Sequence, residues 1–528
     1  GKPHPHPSAF RSELGAIEDI KPMTASDKRK FSVTDGLSWL SDSRTGGAYI
    51  VELFETPPPR QDWDNLPKEK YRLFKSFADG LHEFGSGLIA SRLADSDKRA
   101  AMIGVKLEES DAPASIQLIP THSSVKRLKT VRKINQDADK HAQLLTFLDR
   151  HPLVKKIVLP PIITQSDDVS LTTPGDPYKV PTINSEKGYP KIGIVDGGVS
   201  SVLGDWVEEQ WGFLDPSDKD EDHGTFIAGL SVSGNALNGI AVCKEQDGCK
   251  IIDLDILPTP NVFANYFSKP LQFFEELEVA VRELKARTGV RIFNFSLNIE
   301  EHVSSDGYSP PAKMLDRIAE DNDVIFVISA GNTGPNDFRK EWPADASEAL
   351  SILASARNDI IKKPAESCRN LSVAALNPPD MEGIIPYAPS NYSCRGPGIR
   401  IGLKPELAHV GGSGSKHKEK GHGLYSLNAQ GRIVDGCGTS YAAPNVAKTL
   451  AALDHAIEGD VSRETLIALA MHHARLPDVL TQKEFKDIAK HMVGFGVPGC
   501  SEEILEGSDH SITLVFANRI RPGLKMSF

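Results

Sequence analysis

Five short stretches of this chain have almost no polar alternation: KIGIV (191–195), IIDLDIL (251–257), RIFNFSL (291–297), VIFVIS (324–329) and NLSVAA (370–375). A run this short and this apolar must be covered on both faces. A strand of a parallel sheet held between two helical layers meets that need. Longer stretches with helical spacing alternate with the runs, so residues 191–500 are expected to form an α/β domain, a parallel sheet flanked by helices. The chain has 528 residues, 39% of them hydrophobic and 25% charged, which suits a globular protein with more than one core.

The region before this domain has a different rhythm. Residues 1–45 are polar and are expected to be loosely ordered. AYIVELF (48–54) alternates like a strand, and Tyr71, Phe74, Phe77, Leu81, Phe84 and Leu88 recur at helical steps. AMIGVKL (101–107) and ASIQLIP (114–120) read as strands, and DKHAQLLTFLDRHPLVKKIVLPPII (139–163) as a helix followed by an edge-like strand. The order β-α-β-β-α-β over 46–163 is that of a small ferredoxin-like α+β domain. Residues 164–190 lack periodicity and read as a linker. GGSGSKHKEKGHG (411–423) reads as a surface loop, and residues 501–528 as a β segment.

Charge and cysteine content exclude several classes. A net charge of −11 argues against nucleic acid as a partner, and VKRLKTVRK (125–133) reads as a solvated face. No run approaches the length of a membrane span. The six cysteines are too few for a disulfide scaffold, and Cys243 and Cys249 read as two free thiols. No zinc spacing is present and no cofactor is expected; calcium is the one metal left open, although no acidic cluster has recognisable calcium-ligand spacing. The opening GKPHPHP reads as a tail, and the lack of an apolar leader favours the cytoplasm.

Four polar residues stand at element ends. Asp196 closes the first apolar run in KIGIVDGG (191–198), at the sheet edge where ligands collect, although a carboxylate there also suits capping of the next turn. His223 in EDHGTFIAGL (221–230) opens a helical run, where histidine is commonly structural. Asn332 in AGNTGP (330–335) follows a buried strand, and it also suits a turn. Ser440 in GCGTSYAAPNVA (436–447) stands where a Gly-rich loop becomes a helix, a place for an N-cap as much as for a nucleophile. Pro444 is expected near that helix's first turn, where proline is tolerated.

Read together, the four compose a mechanism. A serine hydroxyl needs an imidazole to take its proton, and the imidazole needs a carboxylate to fix its tautomer. The tetrahedral intermediate needs a hydrogen-bond donor for its oxyanion, and an Asn amide is one. The order Asp, His, Ser is the one found in subtilisin. With IVDGG, DHGTFIAG, FSLN (295–298), AGNTGP, NYSCRGPG (391–398) and GTSYAAPNVA, the chain resembles the subtilisin-like serine proteases, or subtilases, over roughly 190–475. The shorter NGIAV (238–242) and LKPEL (403–407) agree.

The resemblance implies a serine endopeptidase with Asp196, His223 and Ser440 as triad and Asn332 as oxyanion donor. It implies a protein or peptide substrate extended along Phe295, Ser296, Leu297 and Asn298, with Ala330 and Gly331 beside it. Residues 46–163 would be a propeptide-like domain that restrains the enzyme as in a zymogen. Some bacterial subtilases are encoded with an AAA-type ATPase and act in antiphage defence, a setting the resemblance allows. The alternative is a catalytically silent subtilase fold serving as a regulatory or binding subunit. A nucleotide-binding α/β protein is excluded because neither GxGxxG nor a P-loop is present. Four departures from the family pattern stand out: Phe226 replaces the usual His, Asn445 follows Pro444 in place of His, Asn298 replaces Gly, and LAHVGG (407–412) lacks Ala-Pro-Gly.

Overall fold

The structure is a computed structural model that describes residues 15, 17, 19–93, 101–118, 125, 127, 128, 133–165, 169, 170, 175–305, 307–399, 402–414, 422–506, 513 and 515. The GKPHPHP opening lies outside these residues, as do most of the 411–423 loop and most of the expected C-terminal β segment, 501–528. The described start of that segment is not a strand but a helix, Ser501–Leu505, opened by the Glu503 carboxylate accepting the Cys500 amide at 3.1 Å. Among the described residues no helix is long and apolar enough to cross a membrane.

The chain divides into two compact units. One comprises residues 1–42, 47–121 and 132–160. Its start is more regular than its polar composition suggests: helices Ala25–Lys28 and Val33–Leu40 are present. Ser32 caps the second, its hydroxyl accepting from the Asp35 amide at 3.0 Å while Asp35 returns a bond to the Ser32 amide. Five strands follow, β1 (Ala48–Leu53), β2 (Leu88–Arg92), β3 (Met102–Leu107), β4 (Ser115–Gln117) and β5 (Val154–Val158), in the sheet order β4-β2-β3-β1-β5. β3 is inserted between β1 and β2, antiparallel to both, which is the split βαβ arrangement.

The sequence of elements is therefore β-α-β-β-β-α-β, one strand more than expected. Leu88, which fitted the helical spacing, begins β2. The helix Lys68–His82 stops earlier because Gly85 and Gly87, at φ +71° and +82°, turn the chain back. Gly80 sits inside that helix because a Cβ there would lie 2.3 Å from the Phe147 ring of the helix Ala138–Arg150. Phe74, Phe77, Leu81, Leu144, Leu145 and Leu148 fill the core between helices and sheet.

The other unit comprises residues 43–46, 122–131 and 161–528. Residues expected to be linker enter it as two short strands. β6 (Ile163–Gln165) pairs antiparallel with β12 (Leu297–Ile299), and β7 (Val169–Ser170) pairs with the strand Ile433–Cys437. Its centre is a seven-stranded sheet of β8 (Lys191–Asp196), β9 (Val207–Gly212), β10 (Lys250–Asp255), β11 (Ile292–Phe295), β13 (Ile325–Ser329), β14 (Leu371–Leu376) and β15 (Leu407–Val410), in the order β15-β14-β13-β11-β8-β10-β9. Every pairing in it is parallel. The five unalternating runs supply β8, β10, β11, β13 and β14, all but fully buried on both faces, β10 with Asp253 and Asp255 buried on one of them.

Connections from β8 run toward β9 and β10, whereas those from β11 run toward β13. The crevice at the C-terminal ends of β8 and β11 is thus the switch point of the sheet, where α/β folds collect their chemistry. Helices Glu221–Asn238 and Thr439–Ala456 pack in one apolar core with the sheet through Phe226, Ile227, Val446 and Leu450. In the basic run, Arg127 is tied to Asp218 at 2.7 Å.

Candidate active site

Asp196 ends β8 at that switch point, fully buried. One carboxylate oxygen, Oδ2, meets His223 Nδ1 at 2.6 Å. The other, Oδ1, accepts the Gly197 amide at 2.7 Å and the Gln165 side-chain amide at 3.0 Å. His223 lies in the first turn of the helix Glu221–Asn238, which Asp220 caps through the Asp222 amide. Glycine follows His223 because a Cβ at Gly224 would lie 2.3 Å from the Gly198 carbonyl. Close packing of the helix start on the β8 turn brings carboxylate and imidazole together.

Ser440 is the second residue of the helix Thr439–Ala456, whose N-cap is the backbone of Gly438. It is therefore not the N-cap that its sequence position also allowed. Pro444 is the sixth residue of that helix, beyond the first turn. A proline has no N–H for the carbonyl four residues back, which is that of Ser440. The Ser296 hydroxyl fills the gap, donating to the Ser440 carbonyl at 2.9 Å while Asn294 donates to Ser296 at 2.9 Å. In return the Ser440 hydroxyl lies 3.5 Å from the Ser296 carbonyl.

Asn332 is buried beside the same helix start. Its Oδ1 accepts the Thr439 amide at 3.0 Å and the Thr439 hydroxyl at 2.9 Å. Gly331, at φ +102°, donates its amide to the Thr439 hydroxyl at 3.2 Å, and a Cβ there would press on Lys362. Ala330 is buried and bonded to the Val373 carbonyl at 3.0 Å.

The residues named for the substrate strand divide. Leu297 and Asn298 lie in β12, and the Asn298 side-chain amide donates to the Ser329 carbonyl at 3.1 Å. That bond ties β12 to the end of β13, which a glycine would not do. Phe295 does not belong to that strand. It is a core ring at the end of β11, packed against Phe274 and Phe326. Phe226 packs at a tilt on Tyr441 with ring centroids 4.1 Å apart, and Asn445 accepts the Cys243 thiol at 3.2 Å, so both departures are absorbed by packing. All six cysteines are free thiols. Among the described residues no group of three or more His, Cys, Asp or Glu is placed to hold a metal ion.

Two further carboxyls lie beneath this site on β10. Asp255 is paired with Lys219, and Asp253 accepts the Val199 amide at 3.2 Å and the Gln210 amide at 3.0 Å. Burial first, and then the Asp255 charge, push Asp253 up to about 8; burial lifts Asp255 to about 6 against the pull of Lys219. A carboxyl with a raised folded-state pKa binds its proton more tightly in the folded protein than in the unfolded chain. The contribution of these two carboxyls to stability therefore falls as pH climbs from about 4 through about 8. Asp253→Asn is expected to flatten that decline and raise the melting temperature at pH 8 by roughly 5 °C, with little change at pH 4. Thermal melts across this range check it, and an unchanged slope would show that Asp253 titrates normally.

A family model described as the subtilase family, Peptidase_S8, matches residues 191–496. "Uncharacterized protein y4bN" of Sinorhizobium fredii (strain NBRC 101917 / NGR234) is 26% identical over 234 residues, 39% of this chain and 54% of that protein. The chain thus spans about half the length of this relative. Among solved structures, the epidermin leader peptide processing serine protease EpiP of Staphylococcus aureus aligns with 87% of this chain and 97% of its own, at 15% identity and a TM-score of 0.44. The prenylagaramide maturation protease PagA aligns with 60% and 93%, at 15% identity and a TM-score of 0.37. The matched region takes in more than half of the 528 residues and carries the parallel sheet, Asp196, His223 and Ser440, and the chain belongs to the subtilase family.

Proposed function

We propose that this protein is a serine endopeptidase in which Ser440 attacks a peptide carbonyl, His223 serves as base and then acid, and Asp196 orients the imidazole. The observation that carries this reading is the 2.6 Å contact between Asp196 and His223 Nδ1 at the sheet's switch point. Attack requires the Ser440 hydroxyl to leave the Ser296 carbonyl, 3.5 Å away, for the imidazole. The oxyanion then forms at a helix N-terminus, where backbone N–H groups and the Asn332 amide are the donors. A silent regulatory subunit would have no need for a buried carboxylate–imidazole pair, whose desolvation is costly. Fluorophosphonate labelling of the full chain, with Ser440 identified as the modified residue, is the test. Failure to label, with or without the linker cut, overturns the reading.

Residues 46–163 act in this proposal as the restraining domain of the peptidase region 191–500. Support comes from β6, which pairs on β12 as a substrate strand would by β-augmentation. A tethered segment has an effective concentration in the millimolar range, so even weak pairing keeps the lane filled. Release requires a cut in the 164–190 linker or a pull on it, and an AAA-type ATPase of the kind the family resemblance allows would supply that pull. Nicking the linker with an added protease and removing the N-terminal fragment is expected to raise hydrolysis of a generic peptide at least tenfold. Equal activity before and after would leave the N-terminal region a docking or recognition role.

A further inference from the structure

The chain's own strand reports what the site reads in a substrate. β6 lies antiparallel to β12 with Ile163 opposite Ile299, Thr164 opposite Asn298 and Gln165 opposite Leu297. Its direction carries the chain toward Ser296, whose carbonyl faces the Ser440 hydroxyl. A substrate in the same lane places the residue whose carbonyl is attacked opposite Ser296. The preceding residue, penultimate before the cleaved bond, falls opposite Leu297, where Gln165 sits.

At that position the Gln165 amide donates to Asp196 Oδ1 at 3.0 Å. Asp196 is fully buried, and its Oδ2 is committed to His223. Oδ1 takes one fixed donor, the Gly197 amide, and the lane supplies the second. A donor opposite Leu297 completes the solvation of the carboxylate that orients His223. An apolar side chain leaves that buried oxygen one bond short, and a glutamate sets a second carboxylate against it. Sites built around a buried hydrogen-bonding group discriminate through that unmet bond, more steeply than apolar pockets do through size.

We propose that Asp196 Oδ1 is a specificity-determining group, and that the enzyme prefers glutamine and rejects glutamate at the penultimate residue before the cleaved bond. This rests on the serine endopeptidase reading above. The test uses the full chain and acetyl-Ile-Thr-X-Ser coumarinylamides with X as Gln, Leu or Glu, with fluorophosphonate labelling of Ser440 measured in parallel. Because all three peptides meet the same fraction of open enzyme, their ratios do not depend on how far the chain is restrained. The expected kcat/KM for Gln exceeds that for Leu by about tenfold and that for Glu by about a hundredfold. Equal rates for Gln and Leu, or for Gln and Glu, overturn the inference while leaving the hydrolase reading intact. Labelling of Ser440 without cleavage of any of the three also overturns it, since the β6 register would then not be a substrate register. Absence of both labelling and cleavage, in the full chain and again after the linker is cut, sinks the endopeptidase reading and this inference with it.

Discussion

Replacing Ser440 with alanine is expected to abolish fluorophosphonate labelling and to lower peptide turnover by about a millionfold, the loss that follows removal of the nucleophile from a Ser–His–Asp triad. The size of the effect separates chemistry from structure at this position. Ser440 is not the N-cap of its helix, since Gly438 holds that place, and its hydroxyl makes only a 3.5 Å contact with the Ser296 carbonyl. Its structural bond is made by the backbone: the Ser440 carbonyl accepts from the Ser296 hydroxyl, and alanine keeps that carbonyl. Ser440→Ala should therefore melt within a few degrees of the parent. Labelling that persists in this variant would falsify the assignment. A large drop in melting temperature with modest loss of turnover would mark Ser440 as a structural residue.

The parts of this protein that were legible in its sequence are those where one physical demand allows one answer. Unalternating apolar runs need cover on both faces, so β8, β10, β11, β13 and β14 stood out as parallel strands. Asp196 and His223 were legible because each is a polar residue at the end of an apolar element, and the structure brings them within 2.6 Å. What failed were periodic patterns with two readings. Leu88 continued a helical spacing and begins a strand, because the positive φ of Gly85 and Gly87 outweighs the pattern. Phe295 sat in a string that matched the substrate strand, yet the register of β11 turns its ring into the core between Phe274 and Phe326. The partnership of Ser296 with the Ser440 carbonyl was readable in principle, because a proline four residues after Ser440 leaves that carbonyl without a helical donor. Gln165 was not, since no local pattern marks a side chain that meets its partner across a strand pairing between residues 163–165 and 297–299.

The second large effect is expected at Asn332. If its amide stabilises the oxyanion, Asn332→Ala should lower kcat by about a hundred- to a thousandfold with KM nearly unchanged, because the bond forms only as the carbonyl oxygen gains charge. Asn332 is held for that task at its other end: its Oδ1 accepts both the amide and the hydroxyl of Thr439, the residue just before Ser440. Those two bonds fix the side-chain plane and leave Nδ2 directed away from Thr439. They also mean that alanine removes an acceptor from a buried backbone N–H, a loss of about 1–3 kcal/mol in stability. Asn332→Asp separates the two roles, because a carboxylate accepts the same pair of Thr439 bonds but has no N–H to offer. Aspartate should restore much of the stability lost in the alanine variant while its kcat stays at least a hundredfold below the parent. If the aspartate variant recovers turnover along with stability, Asn332 is only a clamp on Thr439. A rise in KM at constant kcat would instead make it a substrate-binding residue.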